Sequence, residues 1–183
     1  MTTDPAIRPA GPAPGYLTSP GAATSERHRW ELQIEKALTQ TLEAHTHVLT
    51  ASAFRDWGRV ALDFVQRIPG IPVALVRRVL GHEPTPTEDL SPAELAKRIA
   101  PTLATAAFNL HVLHEMSVRG FAFKMWVTRH DPKVRPTHAA ADGQKVRLGD
   151  PFVVGGELLQ YPADSAVASI ELWINCRCVV VAR

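Results

Sequence analysis

The sequence predicts an α+β fold, an N-terminal helical region leading into a small, mainly antiparallel sheet. Three observations carry that prediction. Apolar residues recur at helical spacing from Trp30 to Leu113, the period switches to alternation at Phe121, and glycines then punctuate short apolar segments to the end. Helices first and short strands last is the pattern of an α+β domain rather than of alternating βα units.

Each element follows from local chemistry. Residues 1–23 (MTTDPAIRPAGPAPGYLTSPGAA) are rich in Pro, Ala, Gly and Thr and show no period, so they read as a disordered tail. Residues 24–119 read as the helical region. Thr24 or Ser25 is placed to cap a first helix, whose stripe is Trp30, Ile34, Leu38, Leu42 and Leu49. A second stripe runs Phe54, Trp57, Ala61, Phe64, Val65, Ile68 and ends at Pro69-Gly70. Val73 to Leu80 predicts a third helix stopped by Gly81, and the prolines of HEPTPTED predict a loop. Ser91-Pro92-Ala-Glu94 is a capping box with proline at the first helical position, and Leu90 and Leu95 are placed as a hydrophobic staple. Pro101, lacking an amide donor, predicts a kink or break. The stripe then resumes through Leu103, Ala106, Ala107, Leu110 and Leu113 until Gly120.

Residues 120–183 read as the sheet domain. Phe121, Phe123, Met125 and Val127 alternate with Ala122, Lys124, Trp126 and Thr128, the signature of a strand. Gly143, Gly149, Gly155 and Gly156 separate segments at 145–148, 152–154 and 157–161. The β-branched run 176–182 reads as a buried strand.

Composition narrows the function classes. The 183 residues are 45% hydrophobic and 21% charged, with a net charge of +2. These are the proportions of a globular protein. Residues 1–120 carry twelve basic and twelve acidic side chains and residues 121–183 carry eight and six. Neither half has the one-sided positive balance that phosphate neutralisation needs, so DNA contact is not argued by charge. Lys124, Arg129, Lys133, Arg135, Lys145 and Arg147 nonetheless offer a basic edge near the sheet. No run of about 18 apolar residues predicts a membrane span, and the N-terminus lacks a basic start and apolar core of a secretory signal.

The chemistry-bearing residues gather between Lys124 and Cys178. On a strand, Cys176 and Cys178 look to one face and Arg177 to the other. Two thiolates joined by His138, and by His130 or Asp142, make a tetrahedral zinc site; the burial preference of free cysteine favours simple core packing instead. His138 and Asp142 stand four apart, the spacing of an acid/base pair on one helical face, although Asp142-Gly143 is also a turn signal. Asp131 and Arg135 are spaced for a salt bridge. His111 and His114 read as rim positions of the last helix, and His45 and His47 do not share a helical face. No phosphate loop, nucleophile elbow or His-Glu-x-x-His motif occurs.

Taken together, the ordered set Lys124, Trp126, Asp131, Arg135, His138, Asp142-Gly143, Phe152, Pro162 with Asp164, and Asn175-Cys176-Arg177-Cys178 resembles the phage Mu F-like head morphogenesis family, the minor head proteins. The resemblance covers the last third of the chain and departs at Ala163, where the family carries glycine, and at Ser169–Trp173, where a shorter proline-containing lead is expected. It implies a low-copy structural protein of the virion head, associated with the portal and other head proteins. Such a protein assembles in the bacterial host cytoplasm and acts in head morphogenesis, DNA packaging or genome delivery without catalysis. The chain is short for the family, which implies a reduced portal-binding or DNA-contacting region. The competing expectation is a small metal-dependent hydrolase or nuclease-type effector using His138, Asp142, Cys176 and Cys178.

Overall fold

The computed structural model describes residues 14–44, 57–68, 71–82 and 91–183. The expectations placed on Leu49, Phe54, Pro69-Gly70, the HEPTPTED loop after His82, Leu90, His45 and His47 lie outside the described residues, as does most of the predicted tail. The elements are α1 (Pro20–Ala44), α2 (Trp57–Arg67), α3 (Val73–His82), α4 (Pro92–Val118), β1 (Phe123–Val127), α5 (Pro136–Ala141), β2 (Lys145–Arg147), β3 (Phe152–Val154), β4 (Glu157–Leu159) and β5 (Val179–Ala182). Single 3-10 turns occupy Gly15–Leu17 and Ile170–Leu172.

Two antiparallel sheets follow the helices. One has strand order β2-β1-β5, and the other is the β3–β4 hairpin. In the first, Lys124 sits opposite Val146 on one side and Ala182 on the other. In the hairpin, Val154 pairs with Glu157 across Gly155-Gly156. Both glycines have positive φ, 58° and 86°, as a two-residue hairpin turn of the right-handed twist requires. A Cβ on Gly155 would also stand 2.9 Å from Leu172 Cδ2.

Of the predicted helix starts among the described residues, those at Val73 and Ser91 are found and the one at Thr24 or Ser25 is missed. Ser91 caps α4 in both directions: its amide donates to Glu94 Oε2 at 2.8 Å, and the Glu94 amide donates to Ser91 Oγ. α1 begins earlier than Thr24. Ser19 precedes Pro20 and its hydroxyl accepts from the Ala22 amide, repeating the Ser-Pro opening of α4. The described part of the predicted tail is therefore folded, because Leu17 and Ala23 are buried against the helices. Gly81 lies within α3, not beyond it. Pro101 does not break α4, which runs unbroken from Pro92 to Val118. Its neighbours Ile99, Ala100, Thr102, Leu103 and Ala104 are all buried, and packing on both sides of the proline outweighs one missing hydrogen bond. Gly120, with φ 73°, ends α4 as predicted, while the Phe121 amide reaches back to the Met116 carbonyl.

One hydrophobic cluster runs through all of these parts, from Leu17 and Ile34 through Phe64, Leu103 and Phe108 to Trp126, Phe152 and Val181. The division at residue 119 marks a change of secondary structure, with the core continuous across it. α4 is the axis of this core, with α1 along one side and β5 against another.

Two polar residues inside the core hold the sheet in place. Asn109, on α4, is fully buried. Its carbonyl oxygen accepts from the Val180 amide at 2.8 Å, and its amide nitrogen donates to the carbonyls of Thr105, Cys178 and Pro162. Lys124 is the second. The alternation does mark a strand, but the buried residues of β1 are Lys124, Trp126 and Val127, while Phe123 is exposed. Lys124 Nζ donates to the Gln160 carbonyl at 2.8 Å and stands 5.0 Å over the Phe152 ring. This burial removes it from the expected basic edge. It also pushes the ammonium down to about 8, against the partial opposition of Asp150 and Asp164.

Asn109→Leu leaves the Val180 amide and the Cys178 and Pro162 carbonyls without their partner, and is expected to lower stability by about 3 kcal/mol or more in denaturant unfolding. His114→Ala, exposed on the same helix, should change it by less than about 0.5 kcal/mol. Equal effects would contradict the role given to Asn109. For Lys124, the unfolded chain keeps its proton up to 10.5 and the folded chain releases it at about 8. Stability should therefore rise between these values, because the unfolded state binds more protons there. Wild type should gain about 2 kcal/mol relative to Lys124→Met between pH 7.5 and 9.5; a pH-independent difference would show that burial of the ammonium carries no cost.

Candidate functional site

The site forms where the chain from β1 to α5 meets the extended segment before β5. Arg135-Pro136 opens α5 with proline at its first position, and this short helix points His138 into the core. Cys176 and Cys178 do not lie on β5 itself; they precede it in extended backbone. The i, i+2 geometry still turns both sulfurs one way. The segment is fixed by three side chains of α4 at helical spacing. Thr102 Oγ1 accepts from the Asn175 amide at 2.8 Å, Thr105 Oγ1 donates to the Cys176 carbonyl, and Asn109 takes the Cys178 carbonyl. Thr105 also accepts from the buried Arg27 guanidinium of α1, which is paired with Glu31 at 2.8 Å. This polar row within an otherwise apolar helix is a signal that the reading of the α4 stripe passed over.

Two thiol sulfurs and one imidazole nitrogen converge. Cys176 Sγ lies 3.6 Å and Cys178 Sγ 3.5 Å from His138 Nδ1. All three side chains are buried, and their ligand atoms lie within 4.8 Å of one another. His138 Nε2 is buried without a hydrogen-bond partner, and the Trp126 ring stands edge-on to the imidazole at 5.7 Å. Burial opposes ionisation of Cys176, but hydrogen bonds with Cys178 and His138 outweigh it and hold this thiol below its ordinary value. Cys178 moves the other way, pushed up by its hydrogen bond to Cys176 and by burial. The pair thus favours one thiolate and one thiol.

The other predicted site residues surround this cluster without joining it. Asp142 ends α5 and turns away from His138. Its Oδ1 accepts from the Thr128 amide at 2.7 Å and from the Thr128 hydroxyl, and its Oδ2 pairs with His130 Nε2 at 2.8 Å. The His138–Asp142 acid/base pair that the spacing allows is therefore not formed; Asp142 serves the turn that Asp142-Gly143 signals, and neither His130 nor Asp142 belongs to the donor cluster. Burial works against the Asp142 carboxylate, but these donors hold it below the usual carboxylate value. The expected Asp131–Arg135 bridge is also replaced. Asp131 takes both guanidinium nitrogens of Arg177 at 2.8 Å, and Arg135 donates instead to the Ile174 carbonyl at 2.8 Å. The reason is geometric: Arg177 points away from the thiols, as i, i+2 alternation demands, and meets the turn that carries Asp131. His111 sits at the rim, bonded to the Tyr16 hydroxyl at 3.0 Å.

The remaining motif positions are backbone determinants. Gly143, at φ 75°, donates to the Trp126 carbonyl and Asn175 adopts φ 51°. Tyr161-Pro162-Ala163-Asp164 closes a turn through the Asp164 amide and the Tyr161 carbonyl, with Ala163 at φ 66°. Proline second and a left-handed residue third is the type II pattern, which explains why glycine is expected at Ala163. A small cavity of about 20 Å³ opens beside the donors; Arg129, Lys133, Arg135 and Arg177 line it together with His138, Cys176 and Cys178.

No curated protein and no solved structure matches the chain. The sequence pattern of the family described as Phage Mu protein F like protein matches residues 32–181. That span runs from within α1 to within β5 and therefore covers helices as well as the sheet. Every motif residue named above falls inside it, so the convergence around His138, Cys176 and Cys178 is a property of the matched region. The chain belongs to the Phage Mu F-like family.

Proposed function

We propose that this phage head-family protein is a minor head component that associates with the portal and other head proteins. Its work there is head morphogenesis, DNA packaging or genome delivery. It assembles in the bacterial host cytoplasm and ends in the virion head. The observation that carries this reading is the family match over residues 32–181. Two features of the site support a structural rather than hydrolytic role. Asp142 is occupied by Thr128 and His130 instead of orienting His138. The motif residues Asp131, Arg135, Asn175 and Arg177 fix one another and the backbone. Among the described residues, no helix is long and apolar enough to cross a membrane.

Co-expression with the portal protein of the same phage or prophage, followed by size-exclusion chromatography with light scattering, tests the reading. The expected outcome is co-elution as a complex of defined mass. Separate elution of two well-folded proteins would overturn the portal association. A His138→Ala variant that stays folded while a hydrolytic activity of the wild type disappears would favour the metal-dependent hydrolase instead.

A further inference from the structure

We propose that His138, Cys176 and Cys178 bind one zinc ion, through His138 Nδ1 and the two sulfurs, with a water molecule from the adjoining cavity as fourth ligand. The ion would act as a clip that ties the segment before β5 to α5. The inference goes beyond the head-protein reading and does not rest on it.

Geometry is the first argument. Tetrahedral zinc holds sulfur at about 2.3 Å and imidazole nitrogen at about 2.0–2.1 Å, which sets the S···N edge of the tetrahedron at about 3.5 Å. The two S···N distances here are 3.6 and 3.5 Å. Both S···N edges therefore already match those such an ion requires, and all three ligand atoms lie within 4.8 Å of one another.

The donor set is the second argument. Two thiolates and an imidazole are soft and borderline ligands that select zinc over magnesium or calcium. Their surroundings are buried and held by neighbouring side chains. Trp126 covers the imidazole, and the Thr102–Thr105–Asn109 row holds the backbone that presents the sulfurs. A divalent ion with two thiolates is locally neutral, which removes the cost of a buried thiolate.

The fourth position follows from the cavity. The three donors line a space of about 20 Å³, enough for one water molecule. The other lining residues include Arg129, Lys133, Arg135 and Arg177. Of these, Arg177 is held by Asp131 and Arg135 by the Ile174 carbonyl, so both are engaged elsewhere and leave the fourth position to water. His130 and Asp142 bond each other and supply no ligand.

The test uses the full chain. Elemental analysis of protein purified without chelator should give one zinc per chain. Cobalt(II) added to chelator-treated protein should produce thiolate-to-metal charge-transfer absorption and the intense visible bands of a tetrahedral site, saturating at one equivalent. Cys178→Ser should weaken the charge-transfer absorption, and His138→Ala should remove the one-equivalent endpoint. Should either variant fail to fold, wild type alone decides. Chelation should lower its thermal midpoint and expose both thiols to a thiol reagent, and zinc should reverse both changes. No charge-transfer absorption together with a midpoint indifferent to chelator and zinc would overturn the proposal and leave the three side chains as a hydrogen-bonded core cluster. Neither outcome alters the co-elution experiment.

Discussion

The structure depends on how the backbone around residues 175–180 is satisfied inside the core. An extended chain crossing a helix buries amides and carbonyls that must find partners. Here they find them on α4, through Thr102, Thr105 and Asn109. Asn109 does the most, because one side chain supplies both a donor and an acceptor, and it also reaches the Pro162 carbonyl. The cysteine segment, β5 and the turn at Tyr161–Asp164 thereby share one reference point. The position of β5 in turn sets β1, and β1 carries Lys124 and Trp126.

The same constraint explains the motif residues. Few of them act alone. Asp131 matters through Arg177, Arg135 through Ile174 and Asp142 through Thr128 and His130. Each contact ties the loop and helix between β1 and β2 to the segment before β5, or that loop to itself. A head protein must keep its shape among crowded neighbours, and a polar network of this kind specifies one arrangement of short elements that carry little regular hydrogen bonding of their own.

What the sequence disclosed is what short-range chemistry encodes. The capping box at Ser91, the Gly155-Gly156 hairpin, the alternation of β1 and the stop at Gly120 all depend on neighbours within a few residues. The Ser19-Pro20 opening was equally local and was masked by the proline-rich composition around it. The long-range pairings were not legible. Spacing offered Arg135 to Asp131 and Asp142 to His138, whereas Arg177 is 46 residues from its partner. Lys124 looked like surface charge because nothing nearby announces that Phe152 and Gln160 will enclose it. The Cys-x-Cys and His138 could be named as one cluster from residue type, but only the placement of α5 makes them neighbours.

The order in which these parts are made has its own consequence. α1 and α4 are complete well before residues 175–182 exist, yet the apolar and polar faces of both helices are finished by that last stretch. Contacts such as Arg183 to the Thr18 carbonyl span 165 residues. Pairings this distant form late, because loop closure precedes their reward. On the ribosome the helices emerge with the Thr102–Thr105–Asn109 row still bare, and the chain commits to its final form only as synthesis delivers β5. The folded form is thus reached only after that segment has been made, a timing written into the strand order.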